Sequence, residues 1–329
     1  MKKIMEKNAK VAMNTIPSIF NQHKISYTVI GGTETPRQIL MPITCVVLSR
    51  SGRHYRTRVF ENLLQKGFEK IISVNSENER KAVDTFARHF PTIKFLIALE
   101  NVSQGELLNI AFSEAETQYV LVVQEEMCLE KFSFDASMVS KLVRRNQFCV
   151  APVLFSDSST KLPVALFPSA KKSVFEVEAD SVFLDGQAAL YPADYAGFYN
   201  REKFILLGGF DYTISSEYWQ KIDFFFRAWL WGEKINLSTA FEFKYTGAVP
   251  EENLTVDISY LRFYLKNLLP VFFSDHAKIH WFSYFTFKLK SSCGFVESMR
   301  QFMDAVRWTK ENQYRFKTDA VALIENWGK

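Results

Sequence analysis

The sequence predicts an α/β protein with a mainly parallel central sheet flanked by helices. Three observations lead there: short apolar runs end in polar clusters, stripes at helical spacing follow them, and the two kinds of segment alternate over residues 44–124. With 329 residues and 47% hydrophobic content, the chain can bury one large core.

Residues 1–42 are mixed in character, with Gly31, Gly32, Pro36 and Pro42, and are expected to form an N-terminal appendage. Cys45-Val46-Val47-Leu48 then reads as a buried strand that stops at Ser49-Arg50-Ser51-Gly52. Tyr55, Val59, Phe60, Leu63 and Leu64 recur at helical spacing, and Gly67 fits the helix stop. A second strand follows at Ile71–Val74, a helix at Glu77–His89 and a third strand at Ile93–Leu99. The stripe Leu107, Leu108, Ala111, Phe112, Ala115 gives another helix, and Tyr119–Val123 another strand. Right-handed crossovers between such strands make the sheet parallel, and ligands bind beyond its carboxyl ends. The residues that follow the strands are therefore the ones to inspect: Ser49 and Arg50, Asn75 and Ser76, Glu100 and Asn101, and Gln124–Glu126.

The alternation stops after Phe148–Phe155, where short strands are expected at Val164–Phe167, Val174–Val177 and Ala188–Tyr191. A glycine loop, Gly208-Gly209-Phe210-Asp211, precedes an aromatic helix over Ser216–Trp231 that Gly232 ends. Beyond Glu251 the period is again helical, which predicts a helical C-terminal extension over residues 251–329.

A net charge of +4 from 40 basic and 36 acidic residues, without long runs of one sign, argues against a nucleic-acid binder. Cys45, Cys128, Cys149 and Cys293 are widely spaced and lack a histidine cluster, so reduced thiols are expected rather than a zinc site. Glu6, Lys7, Asn8 and Lys10 interrupt any apolar N-terminal run, and Arg227, Arg262 and Lys266 interrupt the later ones. A cytoplasmic protein is expected.

The order of these elements resembles the GT-A fold of family 2 glycosyltransferases over residues 43–250. The resemblance rests on Asn101–Ala111 as the loop and helix after the third strand, and on Tyr119–Val123 as the strand that delivers the family's Asp-x-Asp motif. It rests also on Gly197–Arg201 with Phe204, on the loop Gly208–Asp211, and on Asp223-x-x-x-Arg227 with Gly232. It implies a nucleotide-diphosphate sugar donor, a Mg2+ or Mn2+ cofactor, and a carboxylate base for the acceptor hydroxyl.

Several positions depart from that pattern. Gln124-Glu125-Glu126 stands where Asp-x-Asp is expected, leaving Glu126 as the metal-ligand candidate and Gln124 as a hydrogen-bonding group. Asn75 replaces the base-binding aspartate, and suits either a uracil edge or a turn. Asn101 and Asn109 carry the same two readings, and with Ser49 they complete the donor-side candidates. Gln220 and Lys221 occupy the family's acidic pair, so neither is an ordinary base. Glu217, one turn upstream, becomes the first candidate and Asp223 the second, although Asp223 is also spaced to pair with Arg227 on the helix. Tyr245 stands where a metal-binding histidine is often found, and Lys221 or Lys244 offers a fixed cation instead. The acceptor-side candidates are Gly208, Gly209, Phe210, Asp211 and Trp219, the last able to stack on a sugar.

The leading expectation is transfer from a nucleotide-diphosphate sugar to a glycan or lipid-linked acceptor at the inner face of a membrane. The segment Ile279–Lys290 mixes aromatic and basic residues, which suits a membrane surface or packing on the main domain. A non-catalytic protein that binds a nucleotide, a glycan or a protein partner is the rival expectation. A nucleotidyltransferase is disfavoured, because no glycine- and lysine-rich phosphate loop follows the first strand.

Overall fold

The computed structural model describes residues 24–328 except 37, 51–55, 129–133, 172–173 and 292. In chain order the main strands are β1 (Tyr27–Gly31), β2 (Met41–Leu48), β3 (Phe68–Asn75), β4 (Lys94–Ala98), β5 (Tyr119–Gln124), β6 (Met127–Cys128), β7 (Cys149–Phe155), β8 (Ala165–Lys171), β9 (Val174–Asp180), β10 (Gly197–Asn200) and β11 (Ile235–Tyr245). All but β8 and β9 join one sheet, ordered β1-β4-β3-β2-β5-β10-β7-β11-β6. Strands β4, β3, β2 and β5 run parallel, β10 is antiparallel between β5 and β7, and β11 returns parallel to β7. All six residues of β5 are buried, as its unbroken apolar run requires of a strand covered on both faces.

The helices are α1 (Arg56–Lys66), α2 (Arg80–His89), α3 (Gln104–Glu114), α4 (Ala136–Arg145), α5 (Arg201–Leu206) and α6 (Glu217–Leu230). Beyond residue 250 come α7 (Ile258–Phe263), the hairpin β12 (Val271–Phe273) and β13 (His276–Lys278), α8 (Ser283–Lys290), α9 (Phe295–Asn312) and α10 (Ala320–Glu325). Helix α6 is buried along nearly its whole length. Its phenylalanines join an aromatic core in which Phe210 and Phe224 lie 4.3 Å apart and Phe112 stacks on Phe204 at 3.8 Å. No helix among the described residues is long and apolar enough to cross a membrane.

Three local expectations differ from what the fold contains. Residues 27–31, assigned by sequence to the appendage, form an edge strand antiparallel to β4. Among the described residues Ala188–Tyr191 supplies only an isolated bridge, Ala188 to Asn236, because the Ala189 and Leu190 carbonyls accept from the Trp229 indole and the Leu190 N–H donates to Leu166. The region after residue 250 is mostly helical but carries the β12–β13 hairpin.

Candidate functional site

Four sequence-selected residues follow four adjacent parallel strands. Ser49 follows β2, Asn75 ends β3, Asn101 follows β4 and Gln124 ends β5, so the sheet brings all four to its carboxyl edge. Asn75 is fully buried, and its amide donates to Ser73 Oγ (3.2 Å) and the Leu96 carbonyl (3.4 Å). Ser49 Oγ donates to Glu79 (2.8 Å), while Asn101 is exposed.

The centre of this edge is a carboxylate that the sequence had not singled out. Asp194 accepts from Arg50 Nη1 (2.9 Å), from Gln124 Nε2 (3.1 Å) and from the Tyr245 hydroxyl (2.6 Å). Asp194 and Tyr195 are consecutive residues at φ 54° and 58°, in the left-handed region that side chains with a Cβ avoid. The bonds to Arg50, Gln124 and Tyr245 hold that turn. Tyr245 reaches it from the end of β11, past a register shift between Ser238 and Glu242.

Next to this cluster the amino ends of α3 and α6 meet. Ser103 caps α3 in a reciprocal capping box with Glu106, and its hydroxyl also donates to Gln220 Oε1 (2.7 Å). Gln124 Nε2 reaches the Gln104 side chain (3.1 Å), and the Gln104 backbone N–H donates to Glu217 Oε1 (3.3 Å). The exposed Glu217 carboxylate thus lies at the positive ends of two helices. Gly105 lets α3 approach the glycine loop: a Cβ there would lie 2.7 Å from Phe210 Cγ and would also strike the Gln220 side chain. Gly105→Ala is expected to destabilise the fold by about 1–3 kcal/mol, readable in chemical denaturation; an unchanged midpoint would contradict the close approach.

A third cluster stands where the resemblance placed an acidic pair. Lys221 is buried and ion-paired with Glu252, whose other oxygen accepts from the Tyr191 hydroxyl (3.0 Å). The ammonium lies 4.7 Å from the Tyr191 ring centre and 5.3 Å from that of Tyr195. Burial pushes the Lys221 pKa below its ordinary value, against the opposing pull of Glu252. Burial likewise raises the Tyr195 phenol well above its usual range, with nearby Glu217 and Glu252 adding to the effect.

The remaining candidates lie inside. Asp223 is fully buried and accepts from Arg227 (2.7 Å), Lys266 (2.9 Å) and Asn267 (2.7 Å). The spacing-based pair with Arg227 is present, and the carboxylate is engaged between α6 and the helical turn Tyr264–Leu268 that follows α7. Asp211 accepts from Lys266 (2.8 Å) and from Thr213, so one buried ammonium serves both aspartates. Arg227 also donates to the carbonyl of Gly209, which with Gly208 adopts positive φ. Asn109 clamps the Phe210 backbone at both its amide and its carbonyl, 2.9 Å each, and so positions the loop. Trp219 is buried, donates to the Thr255 carbonyl (2.8 Å) and stacks on Phe263, so its ring serves the core rather than an open face. Lys244 pairs with Ser159 Oγ (2.9 Å).

Among the described residues no three His, Cys, Asp and Glu side chains form a metal cage. Gln124 Oε1 and Glu126 Oε2 are nevertheless buried oxygens that accept no hydrogen bond among those residues. They are oxygen ligands of the kind a hard divalent ion takes. Asp194, Tyr191, Tyr195 and Glu252 were not among the site candidates of the sequence; near Asp194 the signal is Pro192, two residues before it, which marks a turn.

No protein-family model matches the sequence, and no curated protein matches it. Solved structures do. A structure of GalNAc-T7 with UDP, GalNAc and Mn2+ aligns at TM-score 0.55 and 11% identity, over 88% of this chain and 58% of its own. Residues 1–349 of TarS from S. aureus align at TM-score 0.50 and 12% identity, over 82% and 71%. The chain spans 38% of a longer TarS chain. At these identities the likeness is one of fold.

Proposed function

The chain has the GT-A fold, and from that premise we propose that it is a glycosyltransferase passing a sugar from a nucleotide-diphosphate donor to a glycan or lipid-linked acceptor, in the cytoplasm at the inner face of a membrane. One observation carries this reading: Arg50, two residues beyond β2, and Gln124 at the end of β5 converge on one carboxylate, Asp194. A guanidinium and an amide so placed supply the charge and the donors that a diphosphate needs. The donor phosphates exchange with Asp194 on Arg50, and the base lies toward Asn75. The acceptor oxygen attacks the anomeric carbon, and the bond from that carbon to the diphosphate oxygen breaks with its electron pair leaving on the diphosphate. The acceptor proton passes to Glu217. Arg50 stabilises the charge that develops on the leaving group. A Mg2+ or Mn2+ held by Glu126 and Gln124 would add positive charge to the same phosphates, with weaker dependence than two carboxylates give.

A second reading, donor binding without transfer, is favoured by Lys221. It places an ammonium where the resemblance implies a base, and its partner Glu252 is also engaged by Tyr191.

Calorimetric titration of a nucleotide-sugar panel with and without Mn2+, followed by transfer and donor-hydrolysis assays, separates these readings. Arg50→Gln is expected to weaken donor binding on the order of ten- to a hundred-fold through loss of charged hydrogen bonds. Undiminished affinity in that variant would remove Arg50 from the site. Binding without turnover would favour the second reading, and no binding across the panel would sink both.

A further inference from the structure

Helix α8 has two apolar faces, and among the described residues only one of them is packed. Tyr284 and Phe287 are buried on the side facing α9, where the Tyr284 ring lies 5.4 Å from that of Phe302. Phe282, Phe285 and Leu289 recur at helical spacing on another side and are 81%, 61% and 89% exposed. The start of α9 extends this surface with Phe295 and Val296, also exposed, and the Tyr284 ring lies within 6.2 Å of Phe295 and 5.9 Å of Phe285. Trp281, half exposed, adds an indole at its edge. A contiguous apolar surface of this kind marks a contact site.

The charges around it select the partner. Residues 276–296 contain Lys278, Lys288 and Lys290 and neither an aspartate nor a glutamate. Glu297, just beyond, is paired with Arg300. The lysines keep their stems along aromatic surface: Lys290 Nζ lies 4.7 Å from the Tyr264 ring centre and Lys278 Nζ 5.2 Å from that of Phe273. A short helix with Phe and Leu outermost, a Trp at its edge, and lysines within a segment whose flanking carboxylates, Asp275 and Glu297, are engaged by His276 and Arg300 matches the interface of an anionic bilayer.

We propose that Phe282, Phe285, Leu289, Phe295 and Val296 insert into the headgroup region of an anionic phospholipid membrane, with Lys278 and Lys290 on the phosphates. The docked face belongs to the C-terminal extension and is independent of whether the site at the sheet edge transfers sugar.

The test is sedimentation of the full chain with vesicles of pure phosphatidylcholine and of an equal mixture with phosphatidylglycerol. Strong binding to the mixed vesicles, weakened by salt, is expected, with much weaker binding to the neutral ones. The triple substitution Phe282→Ser, Phe285→Ser, Leu289→Ser should lower partitioning at least ten-fold without shifting the unfolding midpoint, since these side chains are exposed. Lys278→Gln with Lys290→Gln should remove most of the preference for the mixed vesicles while leaving neutral binding unchanged. Equal binding to both vesicle types, or retention of binding by the triple variant, overturns the proposal. So does a self-associated wild-type chain that the triple substitution turns into monomer without any vesicle binding, because the face is then an interface between copies of the protein.

Discussion

Lys266→Met is expected to unfold this protein more readily by about 3–5 kcal/mol, the cost of removing one partner from a buried ionic cluster. Lys266 is 1% exposed and donates to Asp211 (2.8 Å) and Asp223 (2.9 Å), so the substitution leaves two carboxylates in the core with one fewer cation between them. Arg227 still serves Asp223, whereas among the described residues the Asp211 carboxylate retains only Thr213. Burial by itself would raise the Asp211 carboxyl, but Lys266 and the Thr213 hydrogen bonds override it and hold the pKa below the ordinary aspartate range. A carboxyl depressed in the folded state stabilises the fold above its unfolded pKa of about 4, and that contribution is lost as the pH falls through the folded value. Chemical denaturation at neutral pH should therefore show the full loss in the variant. The difference between variant and wild type should narrow on acidification below about pH 4. A neutral-pH midpoint within experimental error of wild type would show that the buried ammonium does not hold the loop.

Glu217→Gln is expected to lower turnover by ~10² to 10⁴ while leaving donor affinity nearly unchanged, the signature of a lost general base. The side chain is exposed at the start of α6 and is approached by the Gln104 N–H at 3.3 Å, a bond that glutamine can still accept. Structural damage is thereby kept small. Glu252→Gln is the informative comparison. That substitution leaves Lys221 buried beside a neutral amide, so it should lower stability along with activity. If Glu217→Gln retains full activity and Glu252→Gln loses it without a change in stability, the proton goes to Glu252, in the loop before α7, and the base has been assigned to the wrong carboxylate. Steady-state rates and donor titrations on both variants distinguish these outcomes.

Much of the scaffold was determined by the sequence alone. Apolar runs at Cys45–Leu48 and Tyr119–Val123 specify strands covered on both faces, because neither alternates with polar residues. The polar residue after each run falls at the carboxyl edge by the geometry of parallel crossovers, which is why Ser49, Asn75, Asn101 and Gln124 end up in a row. The Asp223–Arg227 pair is likewise local, since four residues on a helix put two side chains on one face.

The chemistry at the edge was decided by tertiary structure. Lys266 comes from the C-terminal extension into the core beneath the glycine loop, and no local pattern announces a lysine that will be buried between two aspartates. Asp194 meets Arg50 across 144 residues, on a turn whose left-handed backbone only the assembled sheet can hold. Asn109 and Trp219 fit a ligand equally well by residue type, and only the folded chain directs one to the Phe210 backbone and the other to the Thr255 carbonyl. Periodicity fixes which face of an element is buried, because that depends on neighbours in the chain. The partner of a buried polar group depends on which distant segment arrives to satisfy it, and that is set by packing.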